Sequence, residues 1–263
     1  MAQTLRSRDN PRVRAWKKLQ RDAHDRRSRR RALLEGVHLV ATYIERVGAP
    51  RELIVSDAAR ANAEIAALAA RTARPPLVVS EAVFAAFAGT EHPVGVAAEI
   101  DLPEAIADLS RSTHCVLIEG VQDSGNLGAI MRSAAAFGVD SVVVGPGCAD
   151  AWSPKVLRAA MGGHFFMCVA EVKDLMQVIS GFAGLKVCAV PRGGSRLGSI
   201  GLAGPVAWIF GSEGAGVSAQ LRAQADALAC IPMPGGTESL NVAAAAAICF
   251  YERARQCDVS AAA

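Results

Sequence analysis

The feature that most constrains this chain is a series of short apolar segments between residues 115 and 211, separated by segments with helical periodicity. Five segments rich in Val, Ile and Cys are predicted as strands: Cys115–Ile118, Ser141–Val144, Phe165–Ala170, Lys186–Val190 and Val206–Gly211. Four helices are predicted between or after them: Leu127–Phe137, Pro154–Met161, Val172–Gly181 and Leu240–Arg255. Such an alternation predicts a parallel sheet covered by helices on both faces.

A shorter alternation before it predicts a second, smaller α/β domain. Its strands are predicted at four places: Ala32–Glu35, Glu52–Ser56, Leu77–Ser80 and Val94–Ile100. An alanine-rich helix is predicted over Asp57–Arg71, with Asp57 as its N-cap, and a short helix over Glu81–Phe87. The segment Asp101–Arg111 contains a proline and several charges, which is typical of a linker.

Basic residues are concentrated at the start of the chain. Residues 1–31 contain twelve Arg or Lys against three Asp, a net charge of +9. Since the whole chain has a formal net charge of +3, the remaining residues sum to −6. A basic block on an acidic body indicates a polyanion partner, although a solvated, partly disordered tail accounts for the same charges.

Composition and cysteine usage argue against several classes of protein. No apolar run reaches the roughly 18 residues of a membrane span, and the first residues lack the apolar core of a signal peptide. Seven cysteines are scattered without a C-x-x-C pair, which argues against a zinc site and a disulfide framework. The sequence therefore predicts a cytoplasmic protein with no metal and no membrane contact.

The first of three glycine-rich and polar segments, GVQDSGNLGAIMR at residues 120–132, follows a predicted strand and opens a helix. Asn126 is predicted to cap that helix, and a helix N-terminus favours an anion, but an ordinary capped turn has the same pattern. Arg132 is the one charged residue in an otherwise apolar helix. It either reaches solvent, pairs with a carboxylate or contacts a ligand.

The second segment, WIFGSEGAGV at residues 208–217, leads from an apolar strand directly into three glycines around Glu213. Glycines allow a close approach of the backbone to a ligand, and a tight turn with an exposed Glu213 is the alternative. Neither the dinucleotide pattern G-x-G-x-x-G nor a phosphate loop occurs here. A Rossmann-type methyltransferase or dehydrogenase is therefore disfavoured.

The third segment, IPMPGGTESLNV at residues 231–242, is dense in Pro and Gly and precedes an alanine-rich helix. Ser239 and Asn241 stand at the start of that helix, where they offer hydrogen-bond donors and acceptors at a fixed place. A plain loop with a helix cap would have the same composition. In open α/β sheets, ligands bind at the carboxyl ends of the strands, where such segments lie.

Together the three segments resemble the signature motifs of the SpoU/TrmH RNA 2′-O-ribose methyltransferases of the SPOUT superfamily. The family patterns, in the same order, are N-x-G-x-x-x-R, G-x-E-x-x-G and I-P-M-x-G-x-x-x-S-L-N-V. The segment SPKVLRAAMGG at residues 153–163 is also similar to that family. Ala243 departs from the pattern, since members commonly have Ser after S-L-N-V.

The N-terminal half resembles the small ribosomal-protein-like substrate-binding domain of many members, on the residues Asn10-Pro-Arg-Val-Arg, Leu19, Leu34-Glu-Gly and Pro93-Val-Gly-Val. The resemblance implies four regions: a basic segment at 1–31, an RNA substrate-binding domain at 32–102, a linker at 103–112 and a knotted methyltransferase domain at 113–258. It covers almost the whole chain and is stronger in the C-terminal half.

The resemblance implies an α/β fold whose C-terminal domain is tied in a trefoil knot, binds S-adenosylmethionine and forms a homodimer that shares its active sites. Rules of chain topology exclude knots, so no spacing predicts one. The residues implied to line the cofactor pocket are Gly211, Ile231, Met233 and Leu240. The residues implied to act in catalysis are Asn126, Arg132, Glu213, Ser239 and Asn241.

Methyl transfer to a ribose 2′-hydroxyl requires an in-line arrangement and loss of the hydroxyl proton. Arg132 is the family's catalytic arginine and is often assigned as the base, yet arginines are rarely deprotonated in proteins. We therefore expect Arg132 to clamp the target phosphate and stabilise the developing 2′-oxyanion. We expect Asn126 to orient the ribose or Arg132. We expect Glu213 to hold a partner residue in the network of the second and third motifs. Ser239 and Asn241 are expected to fix substrate and loop geometry.

The implied substrate is a structured RNA. Ribosomal RNA is favoured over transfer RNA because the basic start and the appended small domain are more similar to members that act on ribosomal RNA. The alternative from another class is a non-catalytic RNA-binding or ribosome-assembly protein that kept the fold. The intact set of five polar residues argues against that alternative.

Overall fold

The computed structural model describes residues 4–104 and 107–261 and divides into two units. Unit 1 comprises the chain up to Glu104 together with Trp152–Phe165, and unit 2 comprises the remainder. Residues 152–165 fall within the predicted limits of the methyltransferase domain, and those functional limits stay a prediction. Of the predicted segments, residues 1–3 of the basic block and residues 105–106 of the linker lie outside the described residues.

Unit 1 contains a four-stranded mixed sheet with the order β1-β4-β2-β3. Its strands are β1 (Arg31–Glu35), β2 (Glu52–Ser56), β3 (Leu77–Val79) and β4 (Val96–Asp101). Strand β4 is antiparallel to both of its neighbours, and β2 is parallel to β3. Its helices, numbered in chain order, are α1 (Pro11–Arg21), α2 (Ala23–Arg29), α3 (Val37–Arg46), α4 (Ala63–Ala70), α5 (Glu81–Phe87) and α7 (Pro154–Ala160).

The basic N-terminal segment folds as part of unit 1. The side chain of Asn10 caps α1 by accepting a hydrogen bond from a backbone N–H of its first turn at 2.9 Å. Val13, Trp16 and Leu19 recur at three-residue intervals along α1 and are buried in the core of unit 1. The interpretation of this segment as a solvated tail is therefore wrong for residues 4–31.

The alanine-rich segment at residues 57–71 forms two helices, where the sequence predicts one. A 3-10 helix over Ala58–Ala61 comes first, with Asp57 at its N-cap as predicted. Helix α4 then begins after Asn62, whose side chain accepts hydrogen bonds from two backbone N–H groups of the first turn of α4. A second capping residue within the run offers the backbone another helix start, which interrupts the helix.

Unit 2 contains a seven-stranded sheet with the order β7-β6-β5-β10-β8-β11-β9, and all of its paired strands run parallel. The strands are β5 (His114–Ile118), β6 (Ser141–Val144), β7 (Cys168–Glu171), β8 (Leu185–Ala189), β9 (Ser195–Arg196), β10 (Val206–Phe210) and β11 (Ala227–Cys230). The helices are α6 (Ser124–Ala136), α8 (Leu175–Ile179), α9 (Ala219–Arg222) and α10 (Val242–Ala261). The parallel sheet predicted for this half is confirmed.

Several elements of unit 2 differ from the sequence prediction. The strand predicted at Phe165–Ala170 starts only at Cys168, because Gly163–Phe166 form a 3-10 helix. Strands β9 and β11 contain two and four residues, and most of these are not fully buried. Strand β9 has no apolar residue, and the apolar pattern of β11 is too short to identify it. In the described part of the chain, no helix has both the length and the apolar composition of a membrane span.

Strands β5 and β10 are neighbours at the centre of this sheet, and every residue of both is buried. The Trp208 indole Nε1–H donates to Nε2 of His114 at 3.2 Å, and burial lowers the pKa of His114 to about 4, so its ring stays a neutral acceptor. Helix α10 packs against α6. Because β5 and β10 are parallel and paired to their last residues, the loops after them emerge at the same edge.

Candidate active site

Three loops meet at the carboxyl edge of the sheet of unit 2. The first loop (residues 119–123) joins β5 to α6, the second loop (residues 211–218) follows β10, and the third loop (residues 231–241) joins β11 to α10. The backbone N–H of Glu119 donates to the carbonyl of Phe210 at 2.9 Å. The Glu119 carboxylate in turn accepts from the backbone N–H of Ser218 at 2.7 Å. These two bonds hold the first and second loops together.

A chain of side-chain hydrogen bonds joins the three motifs. Asn126, in the first turn of α6, donates from Nδ2 to Oε1 of Glu213 in the second loop. Oδ1 of Asn126 accepts from Nδ2 of Asn241, at the end of the third loop, at 2.9 Å. The structure thus brings together three of the five residues predicted to act in catalysis, and both ends of the Asn126 amide are held.

The prediction that Asn126 caps α6 is wrong. The N-cap is Asp123, whose Oδ1 accepts from the backbone N–H of Asn126 at 2.7 Å. Because Asp123 satisfies that N–H group, the side chain of Asn126 is free to bond Glu213 and Asn241. Both residue types are good caps, and the sequence alone does not distinguish them.

Asn241 forms the start of α10 as well as the bond to Asn126. Its Oδ1 accepts from the backbone N–H groups of Ala243 at 2.9 Å and Ala244 at 3.2 Å, which is the geometry of an N-cap. Its Nδ2 is then oriented toward Asn126. The long helix α10 therefore fixes the position of the amide that completes the hydrogen-bond chain.

Gly211 allows the second loop to fold back on itself. A Cβ atom at this position would lie 2.1 Å from the carbonyl carbon of Gly216 and 2.3 Å from the nitrogen of Val217. The turn closes where the Gly216 N–H donates to the Ser212 carbonyl at 2.9 Å, with Gly216 at a φ of 68°. The sequence predicts close approach of a ligand at these glycines. At Gly211 the close approach is that of the chain's own backbone.

A cavity of about 410 Å³ lies beside the second loop and is also lined by the third loop and by the segment after β8. All four residues predicted to contact the cofactor line it: Gly211, Ile231, Met233 and Leu240. Glu213 and Ser239, two of the predicted catalytic residues, line it as well. Its volume lies within the range of about 300–1,000 Å³ that is typical of small-molecule sites.

Arg132 lies apart from this cavity within the same chain. It follows Asn126 by six residues on α6, which places the two side chains about 120° apart around the helix axis, so they leave different faces. Its side chain is exposed, and among residues 4–104 and 107–261 its guanidinium has no hydrogen-bond or ion-pair partner. Of the five catalytic candidates, Arg132 is the one that neither lines the cavity nor belongs to the hydrogen-bond chain.

Two charged residues of the cavity lining escaped the sequence analysis. Arg192 lies in the loop that follows β8, and Arg222 is the last residue of α9. Neither belongs to one of the three motifs, and α9 has only four residues. The one usable signal was the position of Arg192, directly after a predicted strand in a parallel sheet, where ligands bind.

Two family descriptions match the chain, one in each half. Residues 113–251 match the SpoU rRNA Methylase family, and residues 10–98 match the MRM3-like substrate binding domain. The first match covers more than half of the chain. The chain belongs to the SpoU rRNA Methylase family.

Curated relatives extend the similarity over nearly the whole length. The chain is 36% identical over 253 residues to the 23S rRNA (guanosine(2553)-2′-O)-methyltransferase RlmP of Bacillus subtilis, covering 94% of this chain and 97% of that protein. It is 33% identical over 178 residues to the 23S rRNA (guanosine-2′-O-)-methyltransferase RlmB of Nitrosomonas europaea, covering 64% and 68%. The predicted enzyme class, RNA 2′-O-methyltransferase, is confirmed.

Solved structures share the fold. The SpoU methyltransferase AviRb from Streptomyces viridochromogenes, in complex with the cofactor AdoMet, aligns with a TM-score of 0.84 at 27% identity, covering 94% of this chain and 98% of that chain. The AdoMet-bound rRNA methyltransferase from Sinorhizobium meliloti aligns with a TM-score of 0.83 at 26% identity, covering 97% and 98%. The predicted SPOUT-type α/β fold class and the family resemblance are confirmed.

Proposed function

We propose that this protein transfers a methyl group from S-adenosylmethionine to a ribose 2′-hydroxyl of ribosomal RNA. The observation that supports it most is the hydrogen-bond chain Glu213–Asn126–Asn241 beside a cavity lined by the second and third motifs. Family membership gives the reaction class. The names of two relatives, both acting on guanosine in 23S rRNA, favour ribosomal over transfer RNA.

S-adenosylmethionine fits the cavity in size and in chemical character. Apolar residues of the lining, such as Phe210 and Val242, suit an adenosine, and polar groups of the lining suit an amino-acid tail. Two similar structures contain this cofactor. We assign its binding to the four lining residues implied by the motifs, largely through backbone groups: Gly211, Ile231, Met233 and Leu240. When bound, the cofactor supplies an electrophilic methyl group on a sulfonium.

The side chains around the cavity have different roles in this proposal. Asn126 orients the ribose or Arg132, and its two hydrogen bonds keep its amide in one orientation before substrate arrives. Glu213 and Asn241 are positioning residues that act through Asn126, while Ser239, which lines the cavity, helps to fix the geometry of the substrate and of the third loop. Arg132 clamps the target phosphate and stabilises negative charge on the 2′-oxygen, because a guanidinium is a strong bidentate donor and a poor base.

We propose a homodimer formed through unit 2, in which each cavity receives Arg132 from the other copy. Within one chain Arg132 leaves a different face of α6 from Asn126. Ile248 and Tyr251 on α10 are 39% and 57% exposed, and the Tyr251 ring contacts Phe137 after α6 with centroids 6.3 Å apart. Exposed apolar side chains clustered at one place favour a protein interface.

The trefoil knot implied by the resemblance is part of the same proposal. Strand β11 lies between β8 and β9, and the chain then leads to α10, which packs against α6. The proposal of a knot rests on the family resemblance, and this placement of the C-terminal segment agrees with it. A cytoplasmic location is also proposed, because all seven cysteines are free, as is usual in a reducing compartment.

We propose that unit 1 selects the RNA and that α1 provides phosphate contacts. Arg14, Lys17, Lys18 and Arg21 recur every three or four residues, so they share one side of this helix. Lys18 pairs with Asp25 at 3.7 Å. Arg14, Lys17 and Arg21, called here the basic face of α1, remain for phosphates, and Arg14 and Arg21 are exposed.

The experiment that tests the function maps 2′-O-methyl groups in ribosomal and transfer RNA from a strain that lacks the protein. We expect one or a few ribosomal nucleotides to lose the modification and to regain it with the wild-type gene but not with the Arg132→Ala variant. A loss confined to transfer RNA would assign the substrate there. An unchanged pattern in both RNAs would favour the non-catalytic alternative.

A further inference from the structure

Two arginines at the cavity have no role in the function described so far. Arg192 lies after β8, the strand between β10 and β11, and Arg222 ends α9. Both line the cavity together with Gly211 and Leu240. The charge of Arg222 also acts on the buried Cys188 thiol of β8, opposing the burial that raises the pKa of this thiol to about 11. Cys188 lines the same cavity as Arg222.

The structure leaves both guanidinium groups without a partner. In the described part of the chain, neither Arg192 nor Arg222 has an ion pair or a side-chain hydrogen bond. The one carboxylate among the lining residues is that of Glu213, and it already accepts a hydrogen bond from Asn126. Most other lining residues are apolar. Two unpaired cations in such surroundings favour a ligand with an anionic group.

We propose that Arg192 and Arg222 bind the α-carboxylate of the methionine half of S-adenosylmethionine. This inference rests on the proposed function, which supplies the cofactor. The carboxylate is the one anionic group of that molecule, and the planar fork of a guanidinium matches it in geometry. The apolar lining then remains for the adenosine. The contact would fix the tail of the methyl donor, whereas the second and third motifs hold its nucleoside end.

A thermodynamic cycle tests this assignment, with decarboxylated S-adenosylmethionine as the probe that lacks only the carboxylate. Calorimetric titration compares the two compounds on the wild-type protein and on the double variant Arg192→Met/Arg222→Met, which keeps apolar stems without charge. We expect the wild type to prefer the carboxylated compound by about tenfold or more. We expect the ratio of the two Kd values to fall toward one in the double variant, because the preference comes from the interaction between the arginine charges and the carboxylate.

A matched double variant, Arg111→Met/Arg196→Met, removes two positive charges from exposed positions of unit 2 outside the cavity lining. It should keep the wild-type preference. Thermal unfolding without ligand checks that both double variants fold. If Arg192→Met/Arg222→Met does not fold, the two single variants replace it, and each is expected to lose part of the preference.

Equal preferences in the wild type and the double variant would overturn the assignment, as would a wild type that binds both compounds equally. Unchanged preference with weaker RNA binding in the double variant would assign the arginines to RNA phosphates and also overturn it. A wild type that binds neither compound would contradict the proposed function itself. Failure of the carboxylate assignment and failure of the proposed function therefore give different results.

Discussion

At the scale of single residues, the site combines an amide whose oxygen and nitrogen are both hydrogen-bonded, that of Asn126, with an arginine, Arg132, whose guanidinium has no partner among the described residues. Asn126 is bonded by Glu213 and Asn241, and Asp123 satisfies its backbone N–H. Arg132 is exposed and, within the described residues, unpaired. A held amide presents a fixed donor and acceptor to the substrate, while a free guanidinium is available to a phosphate.

Replacing Arg132 separates catalysis from cofactor binding. We expect Arg132→Ala to lower the rate of methyl transfer at saturating cofactor by at least about 100-fold, the scale of losing one stabilising donor. The Kd for S-adenosylmethionine should stay within about twofold, because the residues assigned to the cofactor lie in the second and third loops and Arg132 is assigned to the target nucleotide. Arg111→Ala, at another exposed arginine of unit 2, serves as the control. A variant with full rate but poor cofactor affinity would show that our assignment is wrong.

Two substitutions of Asn241 distinguish its bond to Asn126 from its cap of α10. Asn241→Asp keeps an oxygen that accepts from Ala243 and Ala244 but loses the donor to Asn126. We expect it to unfold near the wild-type temperature and to methylate slowly. Asn241→Ala should methylate slowly and also lose about 1 kcal/mol of stability with the cap. Wild-type activity of Asn241→Asp would mean that the bond to Asn126 has no part in the reaction.

At the scale of elements, the second loop determines the shape of the cavity, and two glycines of that loop give a matched pair of substitutions. Gly211→Ala places a Cβ against the Gly216 backbone, whereas Gly214→Ala meets no atom within 4 Å. We expect Gly211→Ala to lose about 1–3 kcal/mol of stability, the usual cost of overpacking, and most of its cofactor affinity. Gly214→Ala should resemble the wild type in thermal unfolding and titration. Wild-type cofactor affinity in Gly211→Ala would contradict this account of the loop.

Elements that are buried along their whole length were predictable from the sequence. Strands β5, β6 and β10 are apolar except for the first residues of β5 and β6, as expected of a parallel sheet covered on both faces, and their limits agree with the prediction within one residue. Strand β11 is short and only partly buried, so the motif after it was recognised without the strand that leads to it. The apolar pattern of the sequence therefore predicts strands that are almost completely buried. It misses a strand such as β11, whose formation depends on tertiary packing.

The sequence predicted which residues belong to the site better than it predicted how they are arranged. The motifs named residues that share a cavity and a hydrogen-bond chain. They led to Asn126 as the predicted cap of α6, whereas the cap is Asp123, because both types cap helices well and the Asn126 side chain is engaged by Glu213 and Asn241. Arg192 and Arg222 belong to no motif, and their meeting at the cavity depends on the packing of β8 and α9.

At the scale of the whole molecule, the basic charge of unit 1 is expected to govern RNA affinity. Deleting residues 1–31 would remove Val13, Trp16 and Leu19 from the core, so substitution is the better test. We expect neutralising the basic face of α1, with Gln at all three positions, to weaken RNA binding. The slope of log affinity against log salt should fall by about 2–3, close to one for each lost phosphate contact.

The control for that experiment neutralises three other exposed arginines of unit 1: Arg60, Arg71 and Arg74. It changes the net charge by the same amount, so a general charge effect would lower both slopes equally. A slope that stays at the wild-type value when the basic face of α1 is neutralised would exclude that face from RNA binding.

The central claim is methylation of a ribose in ribosomal RNA. The most direct measurement incubates the purified protein with methyl-labelled S-adenosylmethionine and with ribosomal RNA, either free or in ribosomal particles. The RNA is then digested to nucleosides that mass spectrometry separates by site of methylation. The account predicts label in a 2′-O-methylnucleoside with the wild type and none with Arg132→Ala. Label on a base, or no label from a folded protein that binds the cofactor, would contradict it.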